Sequence, residues 1–231
     1  MEQREKGWLA VLLTAVAGYV DGVGFILLAQ VYVANMSGNS IALGLGWAQG
    51  DVPLMVHRGA AIPAFLVGMV LSRVLLKGAE RRGTGWMHGA LFAAEALLIV
   101  FFIALASSLS TSVLEGRVGY AGLSAVLVLA FAMGVQNGAL SRFGPISMRT
   151  THVSGTLASL ADEVSGALVG DPEDRAPARR RALVLFAAWA AYVVAAGLGI
   201  WLLGTYSVRA LLLPVGALLA LALASLLGRD V

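Results

Sequence analysis

Two short polar motifs interrupt an otherwise apolar sequence, one in each half of the chain. The first reads Ala-Gly-Tyr-Val-Asp-Gly over residues 17–22, and Asn-Met-Ser-Gly-Asn follows at residues 35–39. The second reads Met-Gly-Val-Gln-Asn-Gly over residues 133–138, and His-Val-Ser-Gly-Thr follows at residues 152–156. Polar interruptions at matching positions of two membrane halves indicate where a transporter binds its substrate.

Each Ser-Gly motif is predicted to begin a short helix after a break in the chain. Ser37 is a good N-cap residue, because its hydroxyl oxygen accepts a hydrogen bond from a free N–H of the first turn. Gly38 lets a ligand or another backbone approach closely, and Ser154 and Gly155 offer the same in the second half. Two such N-termini facing each other would form a positive, donor-rich focus near the membrane midplane, which suits an anion or a carboxylate.

The predicted substrate site combines these triplets with the amides of the second polar motif. Its members are Ser37, Gly38, Asn39, Gln136, Asn137, Ser154, Gly155 and Thr156. The alternative is that the two serines only cap short helices that pack against protein.

Two acidic residues lie inside apolar segments, where an ionisable side chain is costly and is a functional candidate by default. Asp21 is a candidate coupling site for a proton or a cation. It is equally a candidate partner for free N–H groups at the helix break, or for Arg149. Its counterpart in the second half is Asn137. Glu95 is either a neutral hydrogen-bonding acid or a second proton site.

Arg149 and His152 precede the second Ser-Gly motif and are candidates for recruiting an anion or responding to pH. An arginine that only sets the membrane orientation is the alternative for Arg149. The sequence contains no His-Glu-x-x-His motif, nucleophile elbow, P-loop or dinucleotide fingerprint. We therefore predict no catalytic residues, no metal site and no cofactor.

The composition is that of an integral membrane protein. Of the 231 residues, 59% are hydrophobic and 13% are charged, whereas soluble domains carry about 25% charged residues. The apolar runs are long and continuous, which predicts helices rather than the alternating strands of a membrane β-barrel. The absence of cysteine excludes disulfides, iron–sulfur clusters and zinc–thiolate sites.

Six apolar stretches approach or exceed the roughly 20 residues that a spanning helix needs. They are residues 8–30, 58–77, 87–107, 118–140, 182–203 and 207–227. Two shorter stretches, 38–49 and 154–169, either dip into the membrane or lie at its surface, which gives six spans, or cross it, which gives eight. A seven-segment description applies if one of them goes deep.

The distribution of basic residues favours six spans with both termini in the cytoplasm. In that arrangement only Arg58, Arg117 and Arg209 fall outside, so 13 of the 16 Lys and Arg residues are cytoplasmic. The eight-span alternative divides them almost evenly. Because this asymmetry explains the net charge of +3, we do not expect nucleic acid as a partner.

The predicted fold is therefore all-α, with six transmembrane helices arranged as two inverted three-helix repeats. Residues 1–231 form a single membrane domain, with repeat 1 at 8–110 and repeat 2 at 118–228. Each repeat contains a broken or re-entrant short helix after its Ser-Gly motif. A charged cytoplasmic loop is predicted at 170–181.

The motifs resemble those of the YoaK family, bacterial inner-membrane proteins built around a domain of unknown function. The matching segments are residues 17–22, 36–40, 133–138 and 149–156. The family usually has threonine where Ser37 and Ser154 stand, so the hydroxyl is retained. The resemblance implies a multi-pass protein of the bacterial inner membrane and supplies no substrate.

The sequence as a whole predicts a membrane transporter or channel for a small polar solute, with an anion or a small organic acid favoured. The alternatives are a membrane scaffold or assembly factor that transports nothing, and a membrane-embedded enzyme with Asp21 or Glu95 as acid or base. The expected partners are the lipid bilayer and the solute. The many small residues on the helices are compatible with a homodimer.

Overall fold

The computed structural model describes residues 2–109, 122–140 and 153–227, and every regular element in these ranges is helical. The elements are α1 (Glu2–Leu27), α2 (Met36–Gln49), α3 (Val52–Arg81), α4 (Met87–Ser108), α5 (Leu123–Leu140), α6 (Val153–Val169), α7 (Pro172–Tyr206), a 3-10 turn (Ser207–Leu211) and α8 (Leu212–Leu226). The prediction of an all-helical protein is thereby confirmed for the described residues.

Several helices are long and apolar enough to cross a membrane. Within the described ranges, five segments have this length and composition: Gly7–Leu27, Met55–Arg81, Met87–Ser108, Leu123–Leu140 and Pro172–Leu226. The last segment comprises α7, the 3-10 turn and α8, and its 55 residues would extend about 80 Å as one helix. That length is more than twice the roughly 30 Å of a bilayer's hydrocarbon core.

Helices α1 and α7 pack closely along a Gly-x-x-x-Gly spacing on α1. Gly18 lies against the backbone of Tyr192, and Gly22 lies against the backbone of Ala196. From the first contact to the second, the residue number rises by four on each helix, so α1 and α7 run parallel. Small residues at this spacing allow two helix backbones to approach, which is how helices associate inside membranes.

Helices α5 and α3 form a second pair of the same kind. Gly134 of α5 lies against the backbone of Phe65, and Gly138 lies against Met69 and the side chain of Ser72 on α3. These two helices are therefore also parallel. Each helix that carries a polar motif, α1 or α5, thus packs on a helix from the opposite half of the chain.

Helices α1 and α5, which carry the two Gly-x-x-x-Gly spacings, run in opposite directions. Gln136 Nε2 donates a hydrogen bond of 2.8 Å to the carbonyl oxygen of Leu13, whereas Gly24, further along α1, packs near Leu129, which is earlier on α5. Helix α1 is therefore antiparallel to α5. Because α5 is parallel to α3, helices α1 and α3 also run in opposite directions.

Helix α2 folds back along the beginning of α3. Gly50 adopts a left-handed conformation, with φ of 68°, and its N–H bonds the carbonyls of Gly46 and Trp47 to close the helix. Gly46 then packs against Met55, and Leu43 packs against Gly59. The tight turn thus places α2 antiparallel to the first turns of α3.

Helix α6 packs against α7, and a salt bridge joins them between Glu163 and Arg181 Nε at 2.7 Å. The prediction of a loop over 170–181 is wrong beyond residue 171, because α7 begins at Pro172. Proline suits the first helical position, where its missing N–H and fixed φ cost nothing. Arg175 Nε also donates to the carbonyl of Gly170 across this junction.

A central apolar cluster holds the bundle together. Helix α4 packs against both α5 and α8, and its Gly89 lies close to Ala222 and Ser225 of α8. The fully buried members of the cluster include Leu13, Val20, Phe92, Ile99, Phe102, Leu129, Met133, Leu211 and Leu218.

Gly134→Ala is expected to lower the free energy of unfolding by about 1–3 kcal/mol, because the new methyl group would overlap the Phe65 carbonyl. The matched control is Gly197→Ala on α7, where nothing lies within 4 Å of the added methyl. This control is expected to change stability by no more than about 1 kcal/mol, in the stabilising direction. Denaturation in mixed detergent micelles measures both variants. Equal stabilities would contradict the close approach of α3 and α5.

Candidate functional site

The first polar motif leads into a break between α1 and α2 that spans residues 28–35. Ala29 and Gln30 both have positive φ, at 54° and 60°, a conformation that non-glycine residues rarely adopt. The N–H groups of Leu28 and Gln30 still bond to carbonyls of α1, at Gly24 and Phe25. Residues 31–35 then form no helix or strand. The N–H of Val31 bonds back to the carbonyl of Leu28, and the N–H groups that follow need acceptors from elsewhere.

Asp21 supplies those acceptors. Its Oδ1 accepts hydrogen bonds from the backbone N–H groups of Val33 at 2.7 Å and Ala34 at 2.8 Å. Its Oδ2 accepts a hydrogen bond of 2.6 Å from the hydroxyl of Tyr192 on α7. The side chain is buried, with 3% of its surface exposed. Asp21 therefore connects α1, the break and a helix from the other half of the chain.

The carboxyl group of Asp21 is held by neutral donors, and no basic side chain is among its bonded partners in the described residues. Hydrogen bonds to a charged group are the stronger kind, each worth about 1.5–3 kcal/mol. Of the roles considered for Asp21, the structure shows that of partner to the free N–H groups at the break. Arg149, the other partner considered, lies outside the described residues.

Asn39 holds the second part of the break. Its Oδ1 accepts from the N–H of Tyr32 at 3.0 Å, and its Nδ2 donates to the carbonyl of Tyr32 at 2.5 Å. The Tyr32 ring also lies beside Phe25, with ring centroids 4.7 Å apart. Asn39 is fully buried. Its side-chain amide gives the N–H and the carbonyl of Tyr32 the hydrogen bonds that another backbone segment would otherwise supply.

The cap of α2 is Asn35, and the prediction of Ser37 as the N-cap is wrong. Asn35 Oδ1 accepts from the N–H of Gly38 at 3.4 Å and from the hydroxyl of Ser37 at 2.7 Å. Asn35, two residues before Ser37, accepts the hydrogen bond from the first turn instead, since an asparagine side chain caps a helix as well as a serine hydroxyl does. The space beside Gly38 is filled by the ring of Tyr32, at 2.7 Å from the position of an added methyl.

The second Ser-Gly motif lies in the first turn of α6. Ser154 and Gly155 are exposed, and Thr156 is half-buried. Arg149 and His152, the predicted anion-recruiting residues, lie outside the described residues. The two motifs occupy different helix pairs, since α2 packs on α3 and α6 packs on α7.

The amides of the second polar motif are buried in α5. Gln136 Nε2 bonds to Leu13 of α1, while Gln136 Oε1 has no hydrogen-bond partner among the described residues. Asn137 is also buried, with 1% of its surface exposed. Gln136 thus joins the two halves at Leu13, about two helical turns before Asp21 on α1.

Glu95 lies apart from these residues, in the middle of α4. It is fully buried, and neither of its carboxyl oxygens has a hydrogen-bond partner in the part of the chain that the structure describes. The structure thus brings Asp21 and Asn39 to one segment of backbone and does not bring Glu95 to them.

Sequence reasoning missed Tyr192, the one partner of Asp21 that comes from α7. A signal was present, because a tyrosine in the interior of an apolar span needs a partner for its hydroxyl. It also missed the paired Gly-x-x-x-Gly spacings at residues 18–22 and 134–138, which bring α7 and α3 against their partners. That spacing is a recognised sign of close helix packing.

Comparison with known proteins places these features in a family. The family described as "Protein of unknown function (DUF1275)" matches residues 9–224. The UPF0700 transmembrane protein YoaK of Bacillus subtilis (strain 168) is 26% identical over 163 residues, which are 71% of this chain and 69% of that protein. No solved structure shows a significant match. The predicted resemblance is confirmed, and the chain is a multi-pass membrane protein.

Tyr192→Phe is expected to lower the free energy of unfolding by about 1.5–3 kcal/mol, because it removes a hydrogen bond to a buried carboxylate. The matched control is Tyr206→Phe, since Tyr206 is exposed at the end of α7. Denaturation in mixed micelles compares the two. If both variants lose the same stability, the bond to Asp21 does not hold the helices together.

Asn39→Asp is expected to destabilise the protein by about 2 kcal/mol or more, since a carboxylate oxygen would face the Tyr32 carbonyl in place of an N–H donor. Asn35→Asp is the matched control, because only the acceptor oxygen of Asn35 is used and an acid suits a helix N-terminus. Thermal denaturation of the purified variants provides the measurement. Tolerance of Asn39→Asp would contradict the assigned amide orientation.

Proposed function

The chain belongs to the YoaK (DUF1275) family of transmembrane proteins, and for it we propose a function as a transporter or channel for a small polar solute. The observation that carries the proposal is the helix break at residues 28–35, whose polar contacts run from Asp21 on α1 to Tyr192 on α7. Non-helical backbone at membrane depth is tolerated only inside protein or beside a water-filled cavity. Broken helices of this kind form the binding sites of many secondary transporters.

An arrangement of two inverted repeats, α1–α4 and α5–α8, is part of the proposal. Helix α1 packs parallel to α7, and α5 packs parallel to α3, so the first helix of each repeat contacts the third helix of the other. A pseudo-two-fold axis in the membrane plane relates such pairs. The antiparallel contact between α1 and α5 supports the inversion.

The same contacts favour six spans over eight. Helices α1 and α3 run in opposite directions. In a membrane, α2 would therefore begin and end on the same side and would not be a span. By the proposed symmetry, α6 behaves in the same way between α5 and α7, and α7 and α8 are separate spans. From the distribution of basic residues we propose that both termini lie in the cytoplasm of a bacterial cell.

An anion or a small organic acid is the favoured solute. The first turn of α2 carries the positive end of a helix dipole, and the exposed Ser37 adds a hydroxyl there. In the other repeat, the exposed Ser154 and Gly155 begin α6. These N-termini, with Thr156 and the buried amides of α5, make up the proposed path.

Asp21 is the proposed coupling site of this transport. Alternating access moves one repeat against the other, and the bond between Asp21 and Tyr192 joins helices from both. Protonation of Asp21 turns an acceptor oxygen into a donor, which weakens its hold on the break and on α7. Proton uptake would thereby release one repeat from the other.

A scaffold that transports nothing is the second candidate, and a specific observation favours it. The bonds of Asp21 and Asn39 are all made within the protein. The space beside Gly38, where a ligand was expected to approach, holds the ring of Tyr32. Polar groups that are satisfied by the protein itself are what a purely structural role requires.

Solute flux distinguishes the two candidates. The purified protein in liposomes is tested with a panel of labelled inorganic anions and small carboxylates under a pH gradient, with protein-free liposomes as the blank. We expect uptake of at least one solute and a loss of about tenfold or more in Asp21→Asn. Asp162→Asn, at an exposed acid of α6, is the matched control and keeps the flux. Absence of flux for the whole panel would favour the scaffold.

Thiol labelling tests the path without knowledge of the solute. The chain has no cysteine, so Ser37→Cys and Ser154→Cys introduce unique probes for a membrane-impermeant reagent. We expect labelling of the first from the outer side and of the second from the cytoplasmic side. Val194→Cys, whose side chain is 69% exposed on the apolar surface of α7, faces lipid and stays unlabelled. Protection of both serine positions in folded protein would contradict a hydrated path.

A further inference from the structure

Glu95 occupies the apolar interior of the bundle. It lies on the face of α4 that also carries Phe92, Ala96 and Ile99, all of which belong to the central apolar cluster. None of its surface is exposed. Helix α4 packs against α5 and α8 and more lightly against α3 and the 3-10 turn, so Glu95 is enclosed by protein rather than by lipid.

The neighbouring helices supply no partner for this carboxyl. Neither oxygen has a hydrogen bond, and no salt bridge reaches it within the described residues. Helices α5 and α8 contain no titratable side chain at all. The 3-10 turn contributes Arg209, whose side chain is exposed.

The other titratable groups on α4 and α3 form no bond with Glu95 either. On α4 itself, His88 lies two turns earlier and interacts with Glu80. The titratable residues of α3 are His57, Arg58, Arg73, Lys77, Glu80 and Arg81, and none of them forms a hydrogen bond or an ion pair with Glu95.

A purely structural role does not account for this side chain. A buried polar group without a hydrogen bond destabilises a protein, and a buried unpaired charge does so far more. An apolar residue of similar size, such as leucine or methionine, would fill the same space without that penalty. The carboxyl group therefore has a use other than packing, and in a membrane interior its chemistry is the exchange of a proton.

We propose that Glu95 is a proton-binding site in the membrane interior, separate from Asp21, which is loaded when the helices around it are packed and unloaded when they part. In the packed state the group is the neutral acid. When α4 separates from α5 or α8 and water enters, the carboxyl O–H bond breaks, the proton passes to water and the carboxylate is hydrated. Closure reverses the step, so no other reactant is needed.

The use of this site rests on the proposed transport function, because separation of α4 from its neighbours would occur during the transport cycle. The existence of the site rests only on the burial of Glu95 and on its lack of a hydrogen-bond partner among residues 2–109, 122–140 and 153–227. The two claims therefore fail independently of each other.

Two measurements on the full-length protein in lipid test the site. The first is modification by dicyclohexylcarbodiimide, an apolar reagent that reacts with protonated carboxyl groups in membrane interiors, followed by peptide mapping of the wild-type protein. We expect an adduct on Glu95 that forms several-fold faster in acid than in alkali. The wild-type measurement does not depend on the folding of a variant.

The second measurement is the infrared difference spectrum between acid and alkaline buffer. We expect the carbonyl band of a protonated carboxylic acid, with loss of that band in Glu95→Gln and its retention in Asp21→Asn. An adduct on Glu95 with this titrating band supports the proposal. Absence of any adduct in folded protein, or a Glu95 band that does not change with pH, would overturn it.

Flux measurements separate this inference from the proposed function. If Glu95 exchanges a proton but no solute crosses the liposome membrane, the transport function fails and the proton site stands. If a solute crosses and Glu95 neither reacts nor titrates, the proton site fails and transport stands.

Discussion

The structure depends on one requirement, which is that backbone N–H groups buried in the protein find hydrogen-bond acceptors there. The break after α1 leaves such groups at Val33 and Ala34, and the carboxylate of Asp21 accepts from both. Asn39 satisfies Tyr32 in the same segment. The reversal of the chain, the placement of α2 and the contact with α7 through Tyr192 all follow from these few bonds.

Close glycine contacts make those bonds geometrically accessible. Because Gly18 and Gly22 have no side chains, the backbone of α7 approaches α1 closely enough for the Tyr192 hydroxyl to reach Asp21. Gly134 and Gly138 bring α3 against α5 in the corresponding way. Any relative movement of the two halves must slide along these contacts, since packed interfaces have few alternative arrangements.

The two halves share their packing and differ in their chemistry. Asp21 in the first half corresponds to Asn137 in the second, and Tyr192, beside Gly18, corresponds to Phe65, beside Gly134. The carboxylate and its phenol partner therefore occur at the α1–α7 contact and have no equivalent at the α5–α3 contact. A group that binds or releases a proton at Asp21 would therefore act on the α1–α7 contact and not on the α5–α3 contact.

The sequence by itself determined the helical class, the membrane setting and the approximate ends of most helices, though not the start of α7, because long apolar runs and polar interruptions are local properties. It also identified Asp21, since a carboxylate within an apolar run needs a partner. Only the tertiary structure decided that this partner is the chain's own backbone together with Tyr192, 171 residues away. It likewise decided that Asn35 rather than Ser37 caps α2, because such choices depend on which groups the folded chain brings within hydrogen-bond distance.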